Sequence, residues 1–120
     1  MSIIFNQRIE IIRAGEKRSV YSSDVMEDWD NPVVLPVEVP VSIQPVSSTE
    51  SDATANRSYV TSRFRLFSPP GTDIPQLKAK DRVRIGLLVL DVVGDPARWP
   101  HPLRPETVHH VEADLEVHRG

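Results

Sequence analysis

The sequence predicts an all-β protein, a small antiparallel β-barrel or sandwich of about six strands with long loops, in one domain over residues 1–120. Three observations lead to this prediction. Apolar and polar residues alternate in several short stretches, which is the period of a half-buried strand. All 11 prolines lie between Pro32 and Pro105 and disfavour long helices there. Turn-forming residues separate the alternating stretches at spacings typical of small β-domains.

The first predicted strand covers residues 3–13, and residues 14–16 (Ala-Gly-Glu) are predicted to form a turn. Residues 21–32 are acidic and polar and are predicted to form a loop. Trp29 is an isolated large apolar group in that loop, and we interpret it as an interface anchor, with a core plug as the alternative. The buried face of the predicted strand carries Ile3, Phe5, Ile9 and Ile11.

Residues 33–43 carry an apolar side chain at every odd position and therefore predict another strand. Pro36 and Pro40 occupy its other face. Since proline has no backbone N–H to donate to a neighbouring strand, this strand is predicted at a sheet edge. Residues 46–56 follow, with small polar side chains and no periodicity, and are predicted to be a flexible loop.

The second half of the chain contains the remaining predicted strands, separated by turns rich in proline and glycine. They cover residues 58–67, two short strands around Gly86 within 81–93, and residues 108–118. A stiff, proline-rich segment lies between residues 93 and 108. It suits a docking surface because little conformational entropy is lost when it binds. Its predicted interface residues are Trp99, Pro100 and Leu103, and the alternative is a rigid surface loop that packs on the protein's own strands.

Composition excludes several classes of protein. The chain has no cysteine, so disulfides and thiolate metal sites are excluded. Fourteen basic residues against 17 acidic ones give a net charge of −3, which argues against a strongly basic nucleic-acid binder. The longest apolar run, residues 85–93, is interrupted by Gly86 and Asp91 and is too short to cross a membrane.

One group of side chains has the composition of a metal site. His110, Glu112 and Asp114 share one face of the last predicted strand, with neighbours about 6–7 Å apart. The alternative is a solvated strand face, which we favour because no second cluster of ligands accompanies it. No nucleophile motif or phosphate-binding glycine loop is present. The sequence therefore predicts no enzyme, no catalytic residue, no metal and no cofactor.

A nucleic-acid-binding module of the oligonucleotide-binding type is the alternative function. Arg57, Arg63 and Arg65 share one face of the predicted strand 58–67, where they could contact phosphates. Tyr59 lies on the same face, but a stacking platform normally has more aromatic rings.

An ordered series of short segments resembles the head-to-tail stopper proteins of long-tailed bacteriophages, especially those of phages that infect Actinobacteria. The series runs through residues 66–74 (LFSPPGTDI), 80–83 (KDRV), 92–99 (VVGDPARW) and 109–115 (HHVEADL). Upstream, residues 45–51 (PVSSTES) are similar to a P-x-S-S-x-E element of that family. The resemblance covers about residues 37–117, while the acidic segment 21–31 has no counterpart in the family pattern.

The resemblance implies a structural protein of the virion neck, assembled in the host cytoplasm. Its subunits would form a ring of six or twelve copies below the portal and adaptor and above the tail terminator. Such a ring retains packaged double-stranded DNA, lets it pass without specific binding, and provides the surface where the tail docks. A loop between strands closes the channel in this family, and the matching residues here are Ser47, Ser48, Thr49, Glu50, Ser51 and Asp52.

Overall fold

The structure, a computed structural model, describes residues 4–21, 23–46 and 62–119. Within these ranges the regular secondary structure is entirely β, and all strand pairs are antiparallel. Seven strands form one sheet in the order β2-β1-β5-β6-β7-β4-β3. The all-β prediction is confirmed, with seven strands rather than about six. The strands are β1 (Glu10–Arg18), β2 (Val25–Pro36), β3 (Ser42–Pro45), β4 (Arg63–Phe67), β5 (Arg82–Ile85), β6 (Leu88–Pro100) and β7 (Val108–Val117).

The sheet is not closed into a barrel by the strand ladders of the described residues, which end at β2 and β3. A single bridge, Gln7 to Val41, joins the residues that precede β1 to those that precede β3. The two residues exchange backbone hydrogen bonds of 3.0 and 2.9 Å. The side chain of Gln7 also accepts a hydrogen bond from the backbone N–H of Ile43.

The core lies on one face of the sheet and follows the alternation predicted from the sequence. On β7, Val111, Ala113 and Leu115 are buried while the residues between them face outward. The same period holds on β4, where Leu66 is buried between exposed or half-buried neighbours. The fully buried apolar side chains of the described residues include Ile11, Val41, Leu66, Ile74, Val83, Leu90, Val111 and Leu115.

The hairpin of β1 and β2 corrects two predictions. The turn predicted at residues 14–16 is strand, since β1 continues to Arg18. The loop predicted over 21–32 is a strand from Val25 onward, paired with β1. Polarity misled the prediction, because this part of the hairpin is exposed on both faces and buries no apolar stripe.

The predicted edge strand over 33–43 is divided by its prolines. β2 ends at Pro36, Pro40 lies between the strands, and β3 begins at Ser42. In the strand order β2 and β3 are the two edge strands, as the prolines predicted. The predicted apolar face is confirmed in part, since Val37 and Val41 are buried but Val33 is exposed, and Ser42 on the other face is buried. Proline supplies no N–H for a ladder, and the backbone leaves the strand between the two prolines.

β6 extends beyond its predicted end. The sequence predicts that Gly94-Asp95-Pro96 terminates the strand, yet β6 continues to Pro100. The register of β6 against β7 shifts between Val93 and Ala97 and again between Trp99 and Pro100. Pro96 and Pro100 fall at these irregularities, where a missing N–H costs no regular ladder bond.

The remaining predictions concern the turns and the long loop. The turns predicted at 68–73 and at Gly86 are confirmed. Gly71 and Gly86 have positive φ angles of 83° and 58°, which glycine adopts without strain. The strand predicted over 58–67 is present from Arg63, and its first residues lie outside the described part of the chain.

Candidate interaction surface

The end of the β6–β7 hairpin, residues 97–112, contains three of the four residues that the sequence predicts at an interface. We call this segment the distal hairpin. Beyond the register shift after Val93, β6 and β7 pair with each other again, with Ala97 opposite Glu112 and Trp99 opposite His110. Gly94, with a φ of 72°, lies within the bulge that separates this segment from the rest of the sheet.

The turn of the distal hairpin is held by hydrogen bonds within itself. The N–H of His101 donates to the carbonyl of Thr107 at 3.0 Å, and the N–H of Thr107 donates to the carbonyl of Arg104 at 2.9 Å. The ring Nδ1 of His101 accepts the N–H of Leu103 at 3.0 Å. Together with three prolines (100, 102 and 105), these bonds make the turn stiff, so it can dock with little ordering cost.

Three residues predicted as interface residues present apolar surface here. Trp99 is 50% exposed and Leu103 is 86% exposed. Pro100, also exposed, lies between them in the chain. One face of the Trp99 ring stacks on His110, with ring centroids 6.3 Å apart and planes inclined by 17°. An anchored aromatic ring beside an exposed leucine is typical of a protein-binding surface.

A shallow cleft of about 250 Å³ lies beside Trp99 and is lined mostly by polar side chains. Across it, the Nε of Arg65 contacts Oδ1 of Asp114 at 3.1 Å. A surface with an apolar anchor and a charged rim has the composition found at many protein interfaces. The lining residues are Arg65, Asp95, Ala97, Trp99, Glu112 and Asp114.

Trp29 lies on β2, well away from the distal hairpin in the strand order. The guanidinium of Arg82 lies 3.6 Å from the centre of its ring, a cation–π contact. The Nε of Arg82 also pairs with Oδ1 of Asp91 at 3.3 Å, and Asp91 contacts the Nδ1 of His118 at 3.0 Å. Trp29 is therefore half-buried by the protein's own charged side chains, and its role as an interface anchor stays a prediction.

The end of the β1–β2 hairpin is a second exposed surface. Val25 and Met26 are exposed beside Glu27 and Asp28. A hydrogen bond from the side chain of Asn31, at 2.9 Å, is the main cause that lowers the pKa of Asp28 below its usual value. The backbone N–H of Asp30 and the charge of Lys17 act in the same direction.

The arginines of the nucleic-acid alternative lie beside carboxylate residues where the structure describes them. Arg65 contacts Asp114, and Arg63 lies directly opposite Glu116 in the ladder of β4 and β7. Nearby carboxylates offset the attraction of these arginines for phosphate. The other two residues of that alternative, Arg57 and Tyr59, lie outside the described residues.

The predicted trio on β7 is divided among different partners. The Nε2 of His110 contacts Oε2 of Glu112 at 3.2 Å, whereas Asp114 pairs with Arg65. Within the described ranges no group of three or more histidine or carboxylate side chains is arranged to hold a metal ion. No helix in the described part of the chain is long and apolar enough to cross a membrane.

Sequence reasoning missed that His101 and His109 join His110 at the distal hairpin. The rings of His101 and His109 are 5.6 Å apart, and those of His109 and His110 are 5.1 Å apart. The available signal was the presence of three histidines within ten residues on either side of a short turn. The residues predicted as a channel loop, Ser47, Ser48, Thr49, Glu50, Ser51 and Asp52, lie outside the described residues.

Compared with known protein families and with curated proteins, the chain matches no family model and no curated protein.

Proposed function

We propose that this chain is a head-to-tail stopper of a long-tailed bacteriophage, a structural protein of the virion neck. The single observation that carries the proposal is the ordered series of segments that resembles this family. Four of its segments fall on the turn after β4, the start of β5, the bulged part of β6 and the first half of β7. The last two of them build the distal hairpin, and the turn after β4 donates the N–H groups of Ser68 and Gly71 to the carbonyls of Val111 and His109 on β7.

In this proposal the sheet works as a small barrel. Six strands follow one another as β1-β5-β6-β7-β4-β3, and the bridge between Gln7 and Val41 brings the ends of that series together. The N–H of Val37 also donates to the carbonyl of Ile9, at 3.3 Å, along the same seam. A barrel protects the edges of its sheet, which suits a subunit that must not aggregate before assembly.

The neighbours of the subunit would bind its two exposed hairpins. Residues 15–18 of β1 pair with residues 25–28 of β2 beyond the short ladder that joins β1 to β5. The distal hairpin likewise continues past the ladder that joins β7 to β4. A ring subunit contacts two copies of itself and the proteins above and below it, so it needs several such surfaces. Both hairpins carry exposed apolar side chains.

The charge of the chain fits a conduit for DNA. A net charge of −3, with Glu112, Asp114 and Glu116 alternating along β7, disfavours tight binding of phosphates. Residues 47–52, which lie in the sequence between β3 and β4, are the proposed gate. Shortening it should release packaged DNA from otherwise intact particles, and unchanged DNA retention would contradict its role as the gate.

Loss of the gene in the encoding phage tests the function itself. We expect capsids that package DNA and then lose it, together with complete tails that remain unattached. The control is complementation by the unaltered gene in trans. Normal infectious particles formed without the chain, or unfilled capsids that never package DNA, would contradict the proposal.

A further inference from the structure

We propose that His109 and His110 form a chelating site for a divalent transition-metal ion, with Cu²⁺ as the ion whose geometry fits best. Their Nδ1 atoms face each other at 2.9 Å, although the two residues are adjacent on β7. The inference is independent of the proposed function. It concerns a binding property of the distal hairpin itself.

The hydrogen-bond partners fix which ring atoms carry protons. A carboxylate only accepts hydrogen bonds, so the contact of His110 Nε2 with Glu112 at 3.2 Å places a proton on that nitrogen. In the neutral ring, His110 Nδ1 then offers its lone pair, and His109 donates the hydrogen between the two Nδ1 atoms. A metal ion can bind both Nδ1 atoms once the single ring proton of neutral His109 moves from Nδ1 to Nε2, which leaves a lone pair on each Nδ1 and releases no proton.

The distance between the two nitrogens matches shared coordination. Two imidazole nitrogens, each about 2.0–2.1 Å from one ion, lie about 2.9 Å apart when the angle at the metal is near 90°. A right angle is the arrangement of tetragonal Cu²⁺, and Cu²⁺ is also the divalent first-row ion that nitrogen ligands bind most tightly. The 2.9 Å of the hydrogen bond is thus compatible with right-angled coordination by Cu²⁺, whereas a tetrahedral ion would need the two nitrogens to move apart.

The surroundings of the pair support the same reading. Glu112 contacts the nitrogen of His110 that faces away from the proposed ion, and a carboxylate in this position orients and strengthens a metal-binding histidine. His101 contributes its ring as a neighbour only, because its Nδ1 accepts the N–H of Leu103. Since no third side chain closes the site within the described residues, solvent would complete the coordination.

Trp99 provides the signal for a test, because its ring stacks on His110 and Cu²⁺ quenches nearby indole fluorescence. The chain has two tryptophans, and Trp29 lies near a different histidine, His118, through Arg82 and Asp91. Titrating the full chain with CuCl₂ should quench Trp99. Quenching should persist in Trp29→Phe and disappear in Trp99→Phe.

Substitutions then separate the proposed site from other histidines. His109→Ala keeps the stack of Trp99 on His110 and should weaken Cu²⁺ binding by about tenfold or more, as should Glu112→Gln. His118→Ala is the matched control and should bind as tightly as the unaltered chain. Unchanged binding in His109→Ala, loss of binding in His118→Ala, or quenching confined to Trp29 would overturn the proposal. Circular dichroism verifies the fold of each variant, and Glu112→Gln carries the test if His109→Ala is unfolded.

Discussion

Gly15 on β1 lies against the backbone of Asn31 on β2 so closely that a Cβ atom at Gly15 would be 2.3 Å from the carbonyl oxygen of Asn31. This contact coincides with the irregularity in the register of the two strands, which shifts between Arg13 and Gly15. The absence of a side chain at Gly15 therefore allows the backbone of β2 to lie this close to β1.

Gly15→Ala is accordingly expected to lower the free energy of unfolding by about 1–3 kcal/mol. In an ordinary strand the same change is favourable, because alanine has less backbone freedom to lose. The atom that blocks the new methyl group belongs to the backbone and cannot rotate away. Urea unfolding measures the effect, with Glu16→Ala at the exposed neighbouring position as control. A variant as stable as the unaltered chain would show that the two strands separate easily here.

Arg13 and Asp81 form the most buried ion pair among the described residues, and we expect it to matter for stability. The side chain of Asp81 is 4% exposed. Its carboxylate accepts hydrogen bonds from Nε and Nη2 of Arg13, at 2.9 and 2.8 Å, and from the backbone N–H of Lys78, at 2.9 Å. The hydrogen bond to Asp81 raises the pKa of Arg13 above its ordinary value.

Asp81→Ala should therefore lower the free energy of unfolding by about 3 kcal/mol, because it leaves the N–H of Lys78 without its acceptor and Arg13 without its carboxylate, with the carbonyl of Gln76 as its remaining acceptor. The matched control is Glu10→Ala, which breaks the pair with Arg84 at a more exposed position. That change should cost less than about 1 kcal/mol. Equal losses in the two variants, measured by urea unfolding, would contradict the difference in burial that the structure gives these pairs.

Asp28 links the β1–β2 hairpin to pH. The hydrogen bond from Asn31 is the largest cause that lowers the pKa of Asp28, so its carboxylate form is favoured in the folded state. A group with a lowered pKa contributes stability above its unfolded pKa and loses it as the pH falls through its folded value. NMR titration of the Asp28 carboxyl should therefore give a pKa below that of an unfolded peptide. In Asn31→Ala the pKa should rise, and an unchanged pKa would contradict this assignment.

Trp99 and Leu103 are expected to serve binding rather than folding. Changing both to serine removes exposed apolar surface and should alter the free energy of unfolding by no more than about 1 kcal/mol, about 0.5 for each. The same double variant should fail to attach tails in a complementation assay. Leu115→Ala, in the core, is the contrasting variant and should lose about 2–5 kcal/mol. Normal tail attachment by the serine variant would argue against the distal hairpin as a docking surface.

The nucleic-acid alternative predicts that the isolated protein binds DNA, whereas we expect that it does not. Because Asp114 and Glu116 lie beside Arg65 and Arg63, we expect no measurable binding to a duplex or single-stranded oligonucleotide at low salt. Fluorescence anisotropy with labelled DNA measures this directly. Tight binding that weakens steeply as salt increases would favour the oligonucleotide-binding alternative.

Periodicity predicted the elements that bury one face, and it failed where no face is buried. The alternation from residue 108 onward leads directly to β7, with Val111 and Leu115 in the core. The first half of β2 is mostly exposed and carries acidic residues, so its pattern of polar and apolar residues is that of a loop. Its strand conformation comes from pairing with β1, and that pairing depends on a contact distant in sequence.

Spatial grouping was harder to predict than the elements themselves. Trp99, Pro100 and Leu103 could be selected because aromatic and proline residues stand out in a polar chain. His101 and His109 lie close together in a hairpin whose register shifts twice along β6. Proline is compatible with such a bulge but does not require one, so the sequence pattern does not predict where the register shifts.

The most direct test of the account is to locate this chain in purified virions by electron cryo-microscopy, with a tag on the C-terminus for identification. We predict a ring of six or twelve copies at the junction of capsid and tail, with the distal hairpins at the surface that meets a neighbouring ring. Absence of the chain from virions, or density for it in the capsid shell or the tail tube, would contradict the proposal.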